Sequence, residues 1–106
     1  METIYKFKNS SSKLIEKIVD DDFSAINHVI LSAGDSLPEH YSNSNTYFII
    51  VQGTIALRLG EDNSKSYEAG SIVYIPYNIK MNVANGSGSI LEFFIVKAPN
   101  PGNYKA

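Results

Sequence analysis

The sequence predicts a small all-β domain, a sandwich or a barrel. Three observations lead there. Short apolar, β-branched segments recur along the chain; Gly, Pro, Asn or Ser clusters close nearly every one; and no segment carries a convincing helical period. In order, residues 13–19 place apolar side chains at 14, 15, 18 and 19, which also fits a helix. The segment is too short for a stable helix and rich in β-branched residues, so it reads as a strand. Residues 23–32 are apolar up to the stop at Gly34-Asp35. Residues 47–51 are apolar without a break, as expected inside a packed sandwich, and end before Gly53. Residues 54–59 alternate, with Ile55, Leu57 and Leu59 on one face, before the turn formers at 60–64. Residues 71–75 end at Pro76, which cannot donate to a ladder, and residues 80–83 run into the loop at 85–89. Residues 90–96 form the last strand, closed by the Pro- and Gly-rich tail at 99–102.

A chain of 106 residues makes one domain, residues 1–106, large enough to bury a single core without covalent help. With no cysteine there are no disulfides, thiolate metal sites or Cys nucleophiles. The net charge is −2 and the nine basic residues are scattered, so no stripe is present to neutralise a phosphate backbone, and no nucleic-acid partner is expected. The opening residues lack the apolar stretch of a signal peptide, and no apolar run approaches a membrane span. A soluble, cytoplasmic protein without a membrane partner is the expectation. The acidic run Asp20-Asp21-Asp22 reads as a solvated turn, since its surroundings supply no loop of alternating oxygen ligands.

The chemistry-bearing positions fall in a regular spacing. Gly34 is followed after five residues by His40, then at successive intervals by Ser42, Thr46 and Gly53. A second block runs from Gly70 over five residues to Pro76, and then from Met81 over three residues to Asn85. This spacing resembles the two motifs of the cupin superfamily, over a motif-bearing core at residues 34–85. The resemblance implies a small jelly-roll β-barrel with a pocket at its open end, commonly dimeric. Family activities include dioxygenases, sugar isomerases and epimerases, decarboxylases, and non-catalytic binding or sensor domains.

Cupin motifs place two histidines, an acid and a third histidine around one metal. In this chain only His40 stands at such a position, with Ser42, Thr46 and Met81 at the others. Neutral hydroxyls compete poorly with water for a divalent cation, and no carboxylate remains to balance its charge. No tightly bound catalytic metal and no other cofactor is therefore expected, and no catalytic residue is assigned. Glu39 adjoins His40, but strand alternation sends it to the opposite face.

The resemblance turns His40, Ser42, Thr46 and Met81 into pocket residues, with Phe48 as an apolar wall because it shares the parity of Thr46. His40 serves there as a hydrogen-bonding group, and Met81 fills apolar space. Ser42 to Asn45 form a polar run that either closes a turn on its own backbone or lines the pocket mouth; Asn43 and Asn45 do not inherit inward-facing places. Whether His28 faces the pocket is left open by alternation, since both faces of its strand are apolar. The expected function is binding or sensing of a small organic molecule, a carbohydrate or an aromatic metabolite. The alternative is an enzyme, an isomerase, epimerase or oxygenase, using His40 as acid and base or in an atypical metal site. A homodimer is expected, because the last strand is apolar on both faces and Tyr47 and Tyr74 point away from the pocket.

Overall fold

A computed structural model describes residues 1–105. Among these residues nine strands are followed by one short 3₁₀ turn, Pro101–Asn103. The strands are β1 (Leu14–Asp20), β2 (Ala25–Leu31), β3 (His40–Tyr41), β4 (Thr46–Gln52), β5 (Thr54–Leu59), β6 (Lys65–Glu68), β7 (Ile72–Ile75), β8 (Lys80–Ala84) and β9 (Leu91–Lys97). They form two antiparallel sheets, one ordered β1-β2-β9-β4-β7 and the other β3-β8-β5-β6. From β4 onward the chain crosses between the sheets repeatedly, which produces the jelly-roll barrel expected from the sequence. The ambiguous segment at 13–19 forms most of β1, Leu14–Asp20. Among the described residues no helix is long and apolar enough to cross a membrane.

Side-chain alternation builds the core. Phe48 and Ile50 on β4, Phe93 and Ile95 on β9, and Val29 and Leu31 on β2 point inward from the first sheet. Ile55 and Leu57 on β5 and Met81 and Val83 on β8 meet them from the second. Phe48 and Phe93 stack at 5.5 Å between centroids, close to parallel.

One glycine fixes the corner between the sheets. Gly53 has φ +80°, and a Cβ added there would overlap the backbone carbonyl of Ile90. Only glycine satisfies both conditions, so β4 can hand over to β5 directly against the start of β9. Asn85 does similar work after β8. Its amide donates to the Leu31 and Ser89 carbonyls, and its carbonyl accepts from Ser87. The acidic run behaves as a turn: Asp21 accepts from the backbone N–H groups of Phe23 and Ser24.

The outer face of the five-stranded sheet holds an unanticipated cluster. His28 is fully buried, with Nδ1 2.7 Å from Glu16 and Nε2 2.6 Å from Glu92. Both carboxylates come from the neighbouring strands, β1 and β9. The rings of Phe7 and Phe94 pack against the imidazole at 4.8 Å each. Glu16 also accepts from the backbone N–H of Lys8 at 3.0 Å, so the cluster pins residues 7 and 8 to the sheet. That N–H and the His28 imidazole hold the Glu16 carboxyl below its ordinary value. Phe94, which gave the last strand its second apolar face, is thus covered in part by the chain's own N-terminal segment.

Candidate functional site

A cavity of about 330 Å³ lies between the sheets, where β3, the start of β4 and the end of β9 meet. All five residues expected from the sequence, His40, Ser42, Thr46, Phe48 and Met81, line it. They converge because β4 sends Thr46 and Phe48 inward two residues apart, while the β3–β8 ladder sets His40 opposite Met81. Val29, Ile95 and Leu37 extend the apolar wall.

The polar groups differ in what they have left to offer. Ser42 is buried; its hydroxyl donates to the Pro76 carbonyl at 2.5 Å and accepts from the Ile79 N–H at 2.8 Å. Its role is to tie β3 to the loop before β8, with little capacity left for a ligand. Thr46 donates to the Ser44 carbonyl at 3.0 Å, leaving its oxygen as an acceptor. His40 is exposed, with Nδ1 2.8 Å from the Pro38 carbonyl. A carbonyl only accepts, so that nitrogen carries the proton, and Nε2 is the ring atom left to accept.

Among the lining residues outside the expected set, three carry polar side chains. Asn43 reaches the mouth, although alternation did not favour it, because the segment between β3 and β4 is not extended strand. Asn27 enters from β2, and Lys97 from the end of β9 opposite Thr46. Lys97 is half-buried; desolvation, with a smaller push from Lys17, holds its ammonium below the ordinary lysine value. The signal for both was parity with known core positions, Asn27 with Val29 and Lys97 with Ile95. His28, by contrast, faces away from the cavity. Glu39 also points elsewhere, accepting from Asn82 at 3.0 Å.

The donor set does not fit the divalent cation that the cupin motif positions hold. One imidazole nitrogen, a thioether, a committed hydroxyl and a threonine oxygen supply no charge to balance a dication. Among the described residues no three His, Cys, Asp or Glu side chains are grouped to hold a metal.

No family model matches the chain. It is 42% identical over 107 residues to the uncharacterised protein MJ0764 of Methanocaldococcus jannaschii, an alignment spanning 100% of this chain and 92% of that protein. The crystal structure of the M. jannaschii protein, an RmlC-like cupin with a double-stranded β-helix fold, superposes with a TM-score of 0.93 at 43% identity, covering 96% of this chain and 94% of that one. The chain belongs to the cupin superfamily. Two more distant cupin-fold likenesses show how widely this barrel is used. A cupin superfamily protein of Desulfitobacterium hafniense gives a TM-score of 0.74 at 14% identity, over 88% of this chain and 83% of its own. The polyketide cyclase RemF of Streptomyces resistomycificus gives 0.71 at 18%, over 83% and 66%. At such identities the likeness carries the fold alone.

Proposed function

We propose that this cupin binds or senses a small organic molecule in the barrel cavity without a tightly bound catalytic metal. The observation that carries the reading is the cavity itself: about 330 Å³, walled by Phe48, Met81, Val29 and Ile95, with few polar groups at its mouth. Such a site suits a ligand of modest size with an apolar body, an aromatic metabolite or a carbohydrate presenting an apolar face. His40 contributes Nε2 as an acceptor, Thr46 its hydroxyl oxygen, and Phe48 and Met81 the apolar contact. The test is a thermal-shift panel of metabolites on the full chain, with and without a chelator. Binding to the native state must raise the midpoint. The expected result is at least one stabilising compound whose effect survives chelation. A stabilisation that appears only with an added divalent cation would overturn the metal-free reading.

The enzymatic alternative requires a second proton-transfer group beside His40. His28 was the histidine in question, and it is sealed between Glu16 and Glu92 on the other side of the sheet. Among the described residues no tyrosine lines the cavity either. Binding is therefore the better-supported function.

The second part of the proposal is a homodimer formed through the outer face of the five-stranded sheet. Tyr47 pairs with Tyr74 and Ile49 with Ile72 across β4 and β7, and the Tyr47 and Tyr74 rings lie 5.1 Å apart. Tyr47, Val51, Ile72 and Tyr74 make an exposed apolar stripe, with Ile49 half-buried beside them, that a second copy would cover. Sedimentation of the wild type and of Ile72→Glu tests this. A dimer that dissociates in the variant is expected, and a wild-type monomer at micromolar concentration would refute it.

A further inference from the structure

Two residues of the cavity lining carry groups without partners among the described residues, one a cation and one an acceptor. The Lys97 ammonium is half-buried on the inward face of β9, and among the described residues no carboxylate lies within ion-pairing distance of it. Its charged neighbour is another cation, Lys17, which is engaged with Asp20 at 3.6 Å. The Asn27 side-chain carbonyl is the other group. Its oxygen is almost inaccessible behind the cavity wall, belongs to a residue that lines the cavity, and has no hydrogen-bond partner among the described residues, so a turn of the side chain is what presents it to a donor. Buried polar atoms are almost always paired in native proteins, so an orphan acceptor in a cavity wall marks a place for a donor. A desolvated cation there marks a place for an anion.

The ladder fixes how these two demands sit together. Ala25 is the register partner of Lys97 and Asn27 that of Ile95, so Lys97 and Asn27 are diagonal neighbours on one face of adjacent strands. Their backbones are roughly 7–8 Å apart, a separation that two side chains and one small ligand can close. Beyond them the wall is apolar, made by Phe48, Met81 and Ile95.

We propose that the ligand is a small amphipathic hydroxycarboxylate, its carboxylate on the Lys97 ammonium, its hydroxyl donating to Asn27 Oδ1, and its aromatic or branched aliphatic body against Phe48 and Met81. This rests on the reading of the cavity as a small-molecule site and names the chemical class that site takes. A neutral sugar leaves Lys97 uncompensated and covers the apolar wall with hydroxyls. A phosphate ester wants several donors converging on one anion, and among the described residues this cavity's lining holds a single ammonium.

Calorimetric titration of the full chain at low ionic strength with three matched probes tests the assignment. The probes are 3-phenyllactate (each enantiomer), 3-phenylpropionate, which lacks the hydroxyl, and 3-phenylpropane-1,2-diol, which lacks the carboxylate. One phenyllactate enantiomer is expected to bind about tenfold or more tighter than either of the others, the size of one charge-assisted or one otherwise orphaned hydrogen bond. Lys97→Met should remove the advantage over the diol, and Lys97→Arg should keep it. Asn27→Leu should remove the advantage over phenylpropionate. Equal binding of acid and diol, insensitive to Lys97→Met, overturns this assignment and leaves the small-molecule reading standing. Failure of all three probes while other metabolites stabilise the protein does the same. Failure of every compound, probes and panel alike, sinks both. Urea midpoints of the three variants confirm that each is folded when titrated.

Discussion

Replacing His28 with leucine offers the sharpest view of what holds the outer face together. The imidazole is inaccessible to solvent and is bonded on both nitrogens by carboxylates, at 2.7 and 2.6 Å. The imidazolium form has an N–H for each carboxylate, which makes both bonds charge-assisted. Bonds to charged groups contribute about 1.5–3 kcal/mol each, and breaking a buried charge pair from one side costs about 3–5 kcal/mol. Leucine restores apolar contact with Phe7 and Phe94 but leaves Glu16 and Glu92 facing each other across a hydrocarbon. A loss of about 3–5 kcal/mol is expected for His28→Leu. It would be read from urea unfolding by linear extrapolation, with an unchanged slope. For a domain of this size it also lowers the thermal midpoint by roughly 12 °C or more. Residues 1–10 should become protease-sensitive, because Phe7 and Lys8 are held by this cluster. A triple replacement of Glu16, His28 and Glu92 by apolar residues should recover most of the loss, since no unpaired charge then remains. A cost below about 1 kcal/mol for His28→Leu, or no recovery in the triple variant, would refute the reasoning.

Two further outcomes follow from the same geometry. Gly53→Ala should destabilise by about 2–5 kcal/mol, combining a left-handed backbone with overlap against the Ile90 carbonyl, whereas Gly70→Ala, with positive φ but open space, should cost only about 1–2 kcal/mol; paired urea curves check the difference. The Glu16 carboxyl is held below its ordinary value of 4.5, so the unfolded chain binds its proton first and the stabilisation is present above that pH. It is lost as pH falls through the lowered folded value, and Glu16→Gln should flatten the acid limb of a stability–pH profile.

The strands legible in the sequence are those with a buried face, because burial is what imposes a period of two. β6 (KSYE) escaped notice as an edge strand that buries little, and β3 is two residues long, held by the barrel rather than by its own composition. The motif spacing located His40, Thr46, Phe48 and Met81 at one cavity, since each position inherits its direction from strand parity. It said nothing of hydroxyl partners, and Ser42 spends its hydroxyl on Pro76 and Ile79, 34 and 37 residues away. Lys97 and Asn27 lie outside residues 34–85, where no motif pointed. His28 stayed ambiguous because its partners are 12 and 64 residues distant, on strands brought beside it only by the fold.

Elemental analysis of the protein purified without chelator, beside its His40→Ala variant, bears most directly on the metal-free cavity. Transition metal well below one equivalent per chain, and the same in both proteins, is the predicted outcome. One equivalent in the wild type that vanishes with His40 would contradict it.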